Sequence, residues 1–369
     1  MINVAFYTPV SFRCRDIESL ASKFIQEGMN VFLISYDADG EFQKACNNLG
    51  VQLITIEKRK PGSFRALLKE VKSVIVCCKN RNIKVLYSHL EPTNFVSVLA
   101  QWFMSTKVII FRHHIDEAAL YKFDKSWAYR ITYKFARTII CVSRQAKTYM
   151  IKSEGVPEER IKHIDLGYDF RRYWTLDRAN IERLRLRNAG AIKLITAGRL
   201  TSFKRPVLAL EVLKHLIHAK GMDVTLTYLG AGEQESDLRS LAEKYQLQQN
   251  VYFEGYRHNV ADYFHASDFL LHPSLLESSC VVIKEAGLAR LPVIVCKGVG
   301  DFDDYMRHEQ NGIVVEPGRF VEEAITHVQQ FLNDPGPYRQ QAVALHDLIE
   351  RKFSIETVFD KHLTLIQSM

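Results

Sequence analysis

A chain of 369 residues with 47% apolar and 25% charged content has the make-up of an ordinary globular protein, which excludes a disordered or fibrous chain; its length favours two domains over one core. The formal charge of +7 is uneven, because residues 1–173 hold 27 Lys and Arg against 17 Asp and Glu, while the remainder holds 22 against 25. A basic first half suits an anionic membrane or an acidic substrate, and it equally suits solubility alone.

INVAFYT opens as a strand, and residues 16–27 follow as a helix ending near Gly28. NVFLISY and VQLITI are the next two strands. Residues 63–79 put Phe64, Leu67, Leu68, Val71, Val74 and Ile75 on one stripe and turn Arg65, Lys69 and Lys72 away, which predicts an amphipathic helix. NIKVLYSHL is another strand. The uncharged stretch 92–106 is too short and too polar to span a bilayer and reads as a buried helix before the strand KVIIFRHH. This alternation predicts a doubly wound parallel sheet over residues 1–170. Between 121 and 135, Trp127, Tyr129, Tyr133 and Phe135 interleave with Lys122, Lys125, Arg130 and Lys134. Such a stripe is either a core face with solvated charges or a membrane-facing surface.

TIICVS and RIKHIDL close the first half, and the Arg-rich residues 171–190 are read as a partly helical hinge. A second series then fills 191–351: AIKLITAG, a helix around 206–216, VTLTYLG, a helix over 234–245, VYFEGY, a short helix, DFLLHP and GIVVEPG. The segment from about 352 to 369 carries Phe353, Val358, Phe359 and Leu363 and is expected to pack back on the first domain. The seven cysteines form no C-x2-C pair and mostly stand in apolar runs, the pattern of reduced thiols in a cytosolic protein. No charged segment precedes the first apolar run, so a signal peptide is not expected.

The stretch SLLESSCVVIKEAGLARLPVIV, residues 274–295, reads as strand end, loop, helix and strand, with Ser278 or Ser279 as the helix cap. Glu277 and Glu285 frame it in an E-x7-E spacing, with Glu285 expected about two turns into the helix. In open α/β sheets ligands bind at the carboxyl ends of strands, where a helix start offers N–H groups to a phosphate. The two acids could then hold hydroxyls on either side of that phosphate, or they are a solvated helix residue and a plain loop carboxylate. AGRLTSFKRP sets Arg199 and Lys204 just past a strand of the same sheet, within reach of one diphosphate. LGAGEQ, with Gly230, and FEGYR, with Gly255, Tyr256 and Arg257, mark two further strand ends, and the aromatic suits a flat base. Each is an ordinary turn alone; jointly they favour a nucleotide-diphosphate site. In the first half, His113 and His114 close a strand and could donate to a sugar or phosphate, while His89 and Glu91 close the preceding one and could meet an acceptor; plain loop residues fit both pairs as well. No metal-binding spacing is present, so no obligatory metal is expected.

These residues resemble the retaining family 4 glycosyltransferases. AGRLTSFKRP, LGAGEQ, VYFEGY, ADYFHASDFLLHPSLLESSCVVIKEAGLARLPVIV and NGIVVEPG follow that family's order, and SRQAKTYMIKSEGVPEERIKHIDLGYDFRRY resembles its domain-joining segment. The resemblance implies the α/β GT-B fold, two Rossmann-like doubly wound domains facing an interdomain cleft. It implies Glu277 on donor-sugar hydroxyls, Glu285 on the ribose, and Arg199 and Lys204 on the diphosphate. Val281 and Val282, with Ser279 and Cys280 beside them, would meet the phosphates; Gly230, Gly255, Tyr256 and Arg257 would surround the nucleotide. The chain departs from the family in SFRCRD, with Arg13, Cys14 and Arg15 where a Gly-rich loop is usual, in Ser278, Ser279 and Cys280 after Glu277, and in Leu166-Gly167 for Asn-Gly. The implied activity is metal-independent, retaining transfer from a nucleotide-sugar donor, a UDP-sugar, to a glycan or lipid-linked acceptor in surface polysaccharide synthesis. It would run in the cytoplasm, with the basic first domain available to a membrane, no cofactor and no nucleic-acid partner. A UDP-sugar epimerase and a catalytically silent sugar-nucleotide-binding subunit stay open as alternatives.

Overall fold

The computed structural model describes residues 2–58, 63–115 and 126–369, with the backbone alone for 126–130. Runs of Val, Ile, Leu and Phe too long to alternate with polar residues make strands that are buried on both faces, the condition of a helix-covered parallel sheet. In β1 (Asn3–Tyr7), Val4 and Phe6 enter one core with Leu33 and Tyr87, while Ala5 and Tyr7 enter a second with Ile34 and Leu86.

The chain forms two compact units, one of residues 1–170 with 353–369 and one of residues 171–352. The first unit's sheet continues with β2 (Asn30–Ser35), β3 (Gln52–Thr55), β4 (Val85–His89), β5 (Lys107–Arg112), β6 (Thr138–Cys141) and β7 (Ile161–His163). Its order is β3-β2-β1-β4-β5-β6-β7, all parallel. The second unit holds β8 (Ile192–Ala197), β9 (Val224–Leu229), β10 (Val251–Gly255), β11 (Phe269–His272), β12 (Val293–Cys296) and β13 (Ile313–Val315). These run parallel in the order β10-β9-β8-β11-β12-β13. Both sheets therefore reverse strand order once, at β1/β4 and at β8/β11.

The helix Phe64–Asn80 forms where its stripe predicts, capped by the Ser63 hydroxyl accepting from the Ala66 N–H at 3.2 Å. Its buried face is displaced from that stripe: Phe64 and Leu68 stay exposed, and Glu70 is buried because the Tyr7 and Tyr36 hydroxyls both donate to it. The Arg-rich stretch after 170 contains the helix Arg178–Leu186, capped by Asp177. The sequence reading contained no helix at Glu41–Asn48, where only Phe42, Gln43 and Cys46 are buried, nor the helices Phe320–Asn333 and Gly336–Phe353. The last helix, Ile355–Ser368, stands Phe359 edge-on to Phe24 at 5.2 Å, and backbone bonds of 2.9 and 3.0 Å tie Tyr168 to Phe353 and Ile355.

Part of the aromatic and basic stripe, Lys122 and Lys125 included, lies outside the described residues, as do the side chains of Trp127, Tyr129 and Arg130; Tyr133 is buried and Phe135 exposed. Among the described residues no helix is long and apolar enough to cross a membrane. All seven cysteines are free thiols, five of them buried.

Candidate functional site

Where strand order reverses, loops leaving the two central strands part to opposite sides and open a crevice at their carboxyl ends. In the second unit these are the loops after β8 and β11, joined by the Leu275 N–H donating to the Phe203 carbonyl at 2.9 Å. Lys204 on the first loop donates from its ammonium to Glu277 Oε1 on the second. His272, the last residue of β11, brings Nε2 to 2.7 Å from the same oxygen, and the Cys280 sulfur lies 3.6 Å from that ring nitrogen. Burial works against charge on Glu277, but His272 and Lys204 outweigh it and hold the carboxyl at about 2. Burial likewise pulls His272 down, but the Cys280 sulfur and Glu277 raise it to about 9. At neutral pH Glu277 is therefore a carboxylate and His272 an imidazolium. Arg199 joins them through a shared ring: its guanidinium carbon is 5.8 Å from the Phe203 centroid, and Lys204 Nζ is 6.0 Å from it.

His272, Glu277 and Cys280 each point one potential ligand atom into a cluster within 4.8 Å. A metal there would have to displace a proton from His272 and the ammonium of Lys204, so the donor set is already electrically satisfied.

The helix Val281–Leu288 begins at Cys280, and neither Ser278 nor Ser279 caps it as expected. Asp301, from the loop after β12, does that work instead. Its Oδ1 accepts the Cys280 N–H at 3.1 Å, and its Oδ2 accepts the Ser279 hydroxyl at 3.1 Å and the Lys284 ammonium at 2.6 Å. Lys284 also donates to Ser279 Oγ at 3.0 Å and to the Cys280 carbonyl at 3.3 Å. Burial pushes the Asp301 carboxyl up and Lys284 pulls it back. Val281 and Val282 lead the helix, and their N–H groups precede its first internal bonds. Glu285 sits just over one turn in, closer than the expected two, and it is buried rather than solvated.

Two further residues hold this turn in place. Gly300 has φ +60°, and a Cβ there would stand 2.7 Å from Glu277 Cβ, so the loop after β12 lies directly on Glu277. Arg205, also left-handed at φ 50°, donates to the Pro273 carbonyl at 2.7 Å, the Pro317 carbonyl at 3.1 Å and the Cys296 sulfur at 3.1 Å. His272, Lys284, Asp301, Gly300 and Arg205 escaped sequence reasoning. A lysine inside VVIKEAGL and an aspartate closing GVGD after an apolar strand were visible signals, but only the fold pairs them.

The glycine turns at the neighbouring strand ends are stitched by backbone. Gly198 N–H donates to the Leu229 carbonyl at 2.9 Å and Gly230 N–H to the Gly255 carbonyl at 2.8 Å; a Cβ on Gly230 would fall 2.0 Å from the Gly198 carbonyl oxygen. Tyr256 is 75% exposed, its ring 5.0 Å from that of His258. Arg257 turns instead to Glu254 at 3.2 Å, a carboxylate that Arg187 and Tyr263 also hold.

The first unit's edge is built differently. His113 Nε2 lies 2.9 Å from His89 Nδ1, and Phe111 stacks on both rings at 4.2 and 5.6 Å. Burial drives His89 well below the usual histidine range and His113 to about 4, so both are neutral. Beside them the buried Arg112 grips Glu154 at 2.8 and 3.2 Å and donates to the carbonyls of His114 at 2.6 Å and Ile115 at 2.7 Å, which pins the His113–His114 backbone. Glu91 is buried and accepts the Phe95 N–H at 3.1 Å. In the unusual first loop, Arg13 forms a bidentate pair with Glu18 at 2.7 and 2.6 Å.

Comparison with known families matches residues 15–172 to the model described as Glycosyltransferase Family 4 and residues 177–344 to the model described as Glycosyl transferases group 1. Each unit of the chain thus matches a glycosyltransferase model. The chain is 23% identical over 268 residues to the Escherichia coli UDP-Gal:alpha-D-GlcNAc-diphosphoundecaprenol alpha-1,3-galactosyltransferase, a match that covers 68% of each chain. It is 31% identical over 116 residues to the E. coli lipopolysaccharide glucosyltransferase WaaG, 31% of this chain and 30% of that one. Against an uncharacterised Haemophilus influenzae glycosyltransferase it is 25% identical over 168 residues, 46% of this chain, and spans about half (47%) of that protein's length. Crystal structures show the same fold over whole chains: Anabaena HepE in complex with UDP, at TM-score 0.84 and 19% identity with 100% of both chains covered, and WaaG, at 0.72 and 18% with 99% of both. The chain thus has the two-domain α/β GT-B fold.

Proposed function

We propose that this chain is a retaining glycosyltransferase that moves a sugar from a UDP-sugar to a glycan or lipid-linked acceptor in the assembly of a cell-surface polysaccharide or lipopolysaccharide. The observation that carries the proposal is the convergence of Lys204 and His272 on one Glu277 oxygen at the β8/β11 reversal, beside the start of the helix Val281–Leu288. The donor diphosphate would rest on the Val281 and Val282 N–H groups and take the charges of Arg199 and Lys204, which stabilise the leaving group as it departs. Glu277, oriented through Oε1, would offer its other oxygen to a hydroxyl of the transferred sugar. Glu285 would hold the ribose, and the Gly230 and Gly255–Tyr256 turns the base. The Cys280 N–H is committed to Asp301, so Cys280 and Ser279 would support the phosphate turn rather than touch the donor. His113, as a neutral imidazole, and His114 would donate to the sugar or the acceptor. The leaving phosphate would take the acceptor's proton on the face it vacates, with no metal and no cofactor. HepE, a relative in fold, has been crystallised with UDP-glucose, and relatives in sequence act in lipopolysaccharide and lipid-linked glycan synthesis, which supports the donor and acceptor classes.

The test is a thermal-shift and product screen with UDP-, GDP- and ADP-sugars, with and without lipid-linked acceptors. A UDP-sugar should raise the melting temperature and be consumed with retention at the anomeric carbon. Sugar interconversion without an acceptor would establish an epimerase instead, and donor binding without turnover a silent subunit. A role at the cytoplasmic membrane face, through the basic first unit, belongs to the same proposal; flotation with anionic vesicles tests it.

A further inference from the structure

Lys284 and Asp301 are the least accessible charges near the proposed donor site, at 0% and 1% exposure. Three contacts of the Lys284 ammonium are local: Asp301 Oδ2, Ser279 Oγ and the Cys280 carbonyl. Asp301 in turn accepts from the Cys280 N–H, one residue before the helix Val281–Leu288. A carboxylate at a helix start is favourable by itself, because it faces the positive end of the helix dipole. The same carboxylate is a liability if a diphosphate must settle on the next N–H groups, since two anions would then compete for one dipole. Lys284 stands one turn along the helix and reaches back to cancel that charge.

We infer that the buried Lys284–Asp301 pair is a charge-compensated clamp: Asp301 fixes the Ser279–Cys280 backbone so that Val281 and Val282 face the ligand, and Lys284 neutralises Asp301 so that a nucleoside diphosphate is not repelled. This rests on the reading of the second unit as a nucleotide-diphosphate site. Both are positioning residues, since neither touches the donor. The pair sets how strongly the site distinguishes a nucleoside diphosphate from the bare nucleoside.

Calorimetry of the full chain with UDP and with uridine provides the test, scored as the ratio of their affinities. In K284M that ratio should fall about tenfold or more, because Asp301 is left uncompensated beside the phosphates. In D301N it should rise, because the Lys284 charge is then uncompensated, and in the double variant K284M/D301N it should return close to the wild-type value. A merely structural pair would weaken UDP and uridine together, so an unchanged ratio in all three overturns the clamp. Should K284M not fold, D301N decides it: a raised ratio supports charge compensation, and an unchanged or lowered one refutes it. A wild-type chain that binds UDP no better than uridine would overturn the diphosphate reading itself, and the clamp with it.

Discussion

His89 and His272 hold the same address in their two sheets, each the last residue of the fourth strand and each beside the reversal of strand order. Both are buried, at 1% and 2% exposure, yet their protonation is opposite. His89 faces a second imidazole and the Phe111 ring, so burial wins and it stays neutral. His272 faces the Glu277 carboxylate and the Cys280 sulfur, which reverse the effect of burial and keep it protonated to about pH 9. One topology thus delivers a histidine to each crevice edge, and the partner across the loop decides whether the edge is neutral or cationic. A neutral edge suits hydrogen bonding to hydroxyls; a cationic edge suits a departing diphosphate.

The sharpest break in this comparison is the loss of a charge from the second edge. Lys204→Ala should lower sugar transfer by about 10²- to 10³-fold while circular dichroism stays that of the wild type. A rate within threefold, with every donor tried, would mean that the cationic edge is not catalytic. Glu285→Ala should weaken UDP by roughly tenfold, or about 1.4 kcal/mol, measured by calorimetry. Unchanged affinity would leave Glu285 a buried helix residue and nothing more.

The smallest effects, in pH, test the comparison most directly. The folded pKa of His272 lies above its ordinary 6.5, so its stabilising contribution is complete below about 6.5 and is lost as pH rises through about 9. His113 has the opposite sign: its contribution is complete above 6.5 and is lost as pH falls through about 4. Melting temperatures from pH 4 to 10 should show an alkaline loss that His272→Gln removes and an acid loss that His113→Gln reduces. Ring titrations by NMR should place His272 near 9 and His113 near 4. Overlapping titrations near 6.5 would erase the distinction between the two edges.

Much of this site was legible beforehand for a plain reason. A parallel sheet brings every strand's carboxyl end to one edge, so Arg199 and Lys204 after AIKLITAG and Glu277 after DFLLHP had to share an edge once those runs were read as strands. What pattern could not supply was pairing among buried polar groups. Ser278 and Ser279 looked like helix caps because local propensity favours serine there, but Asp301, over twenty residues further on, holds that helix start. Arg257 follows the FEGY turn, and its pairing with Glu254 is likewise set by the fold. Glu70, beside the outward Lys69, is buried under two tyrosines, a pairing that helical spacing does not supply.

Apolar runs, turn glycines and the E-x7-E spacing determined by themselves the two α/β halves and the edge at which their chemistry gathers, because strand burial and chain direction are local properties written in order along the chain. Only tertiary structure decided which charges are paired, which histidine keeps its proton and which residue holds the start of the helix Val281–Leu288. Those outcomes depend on distances between loops far apart in sequence and on the burial that strengthens every such contact.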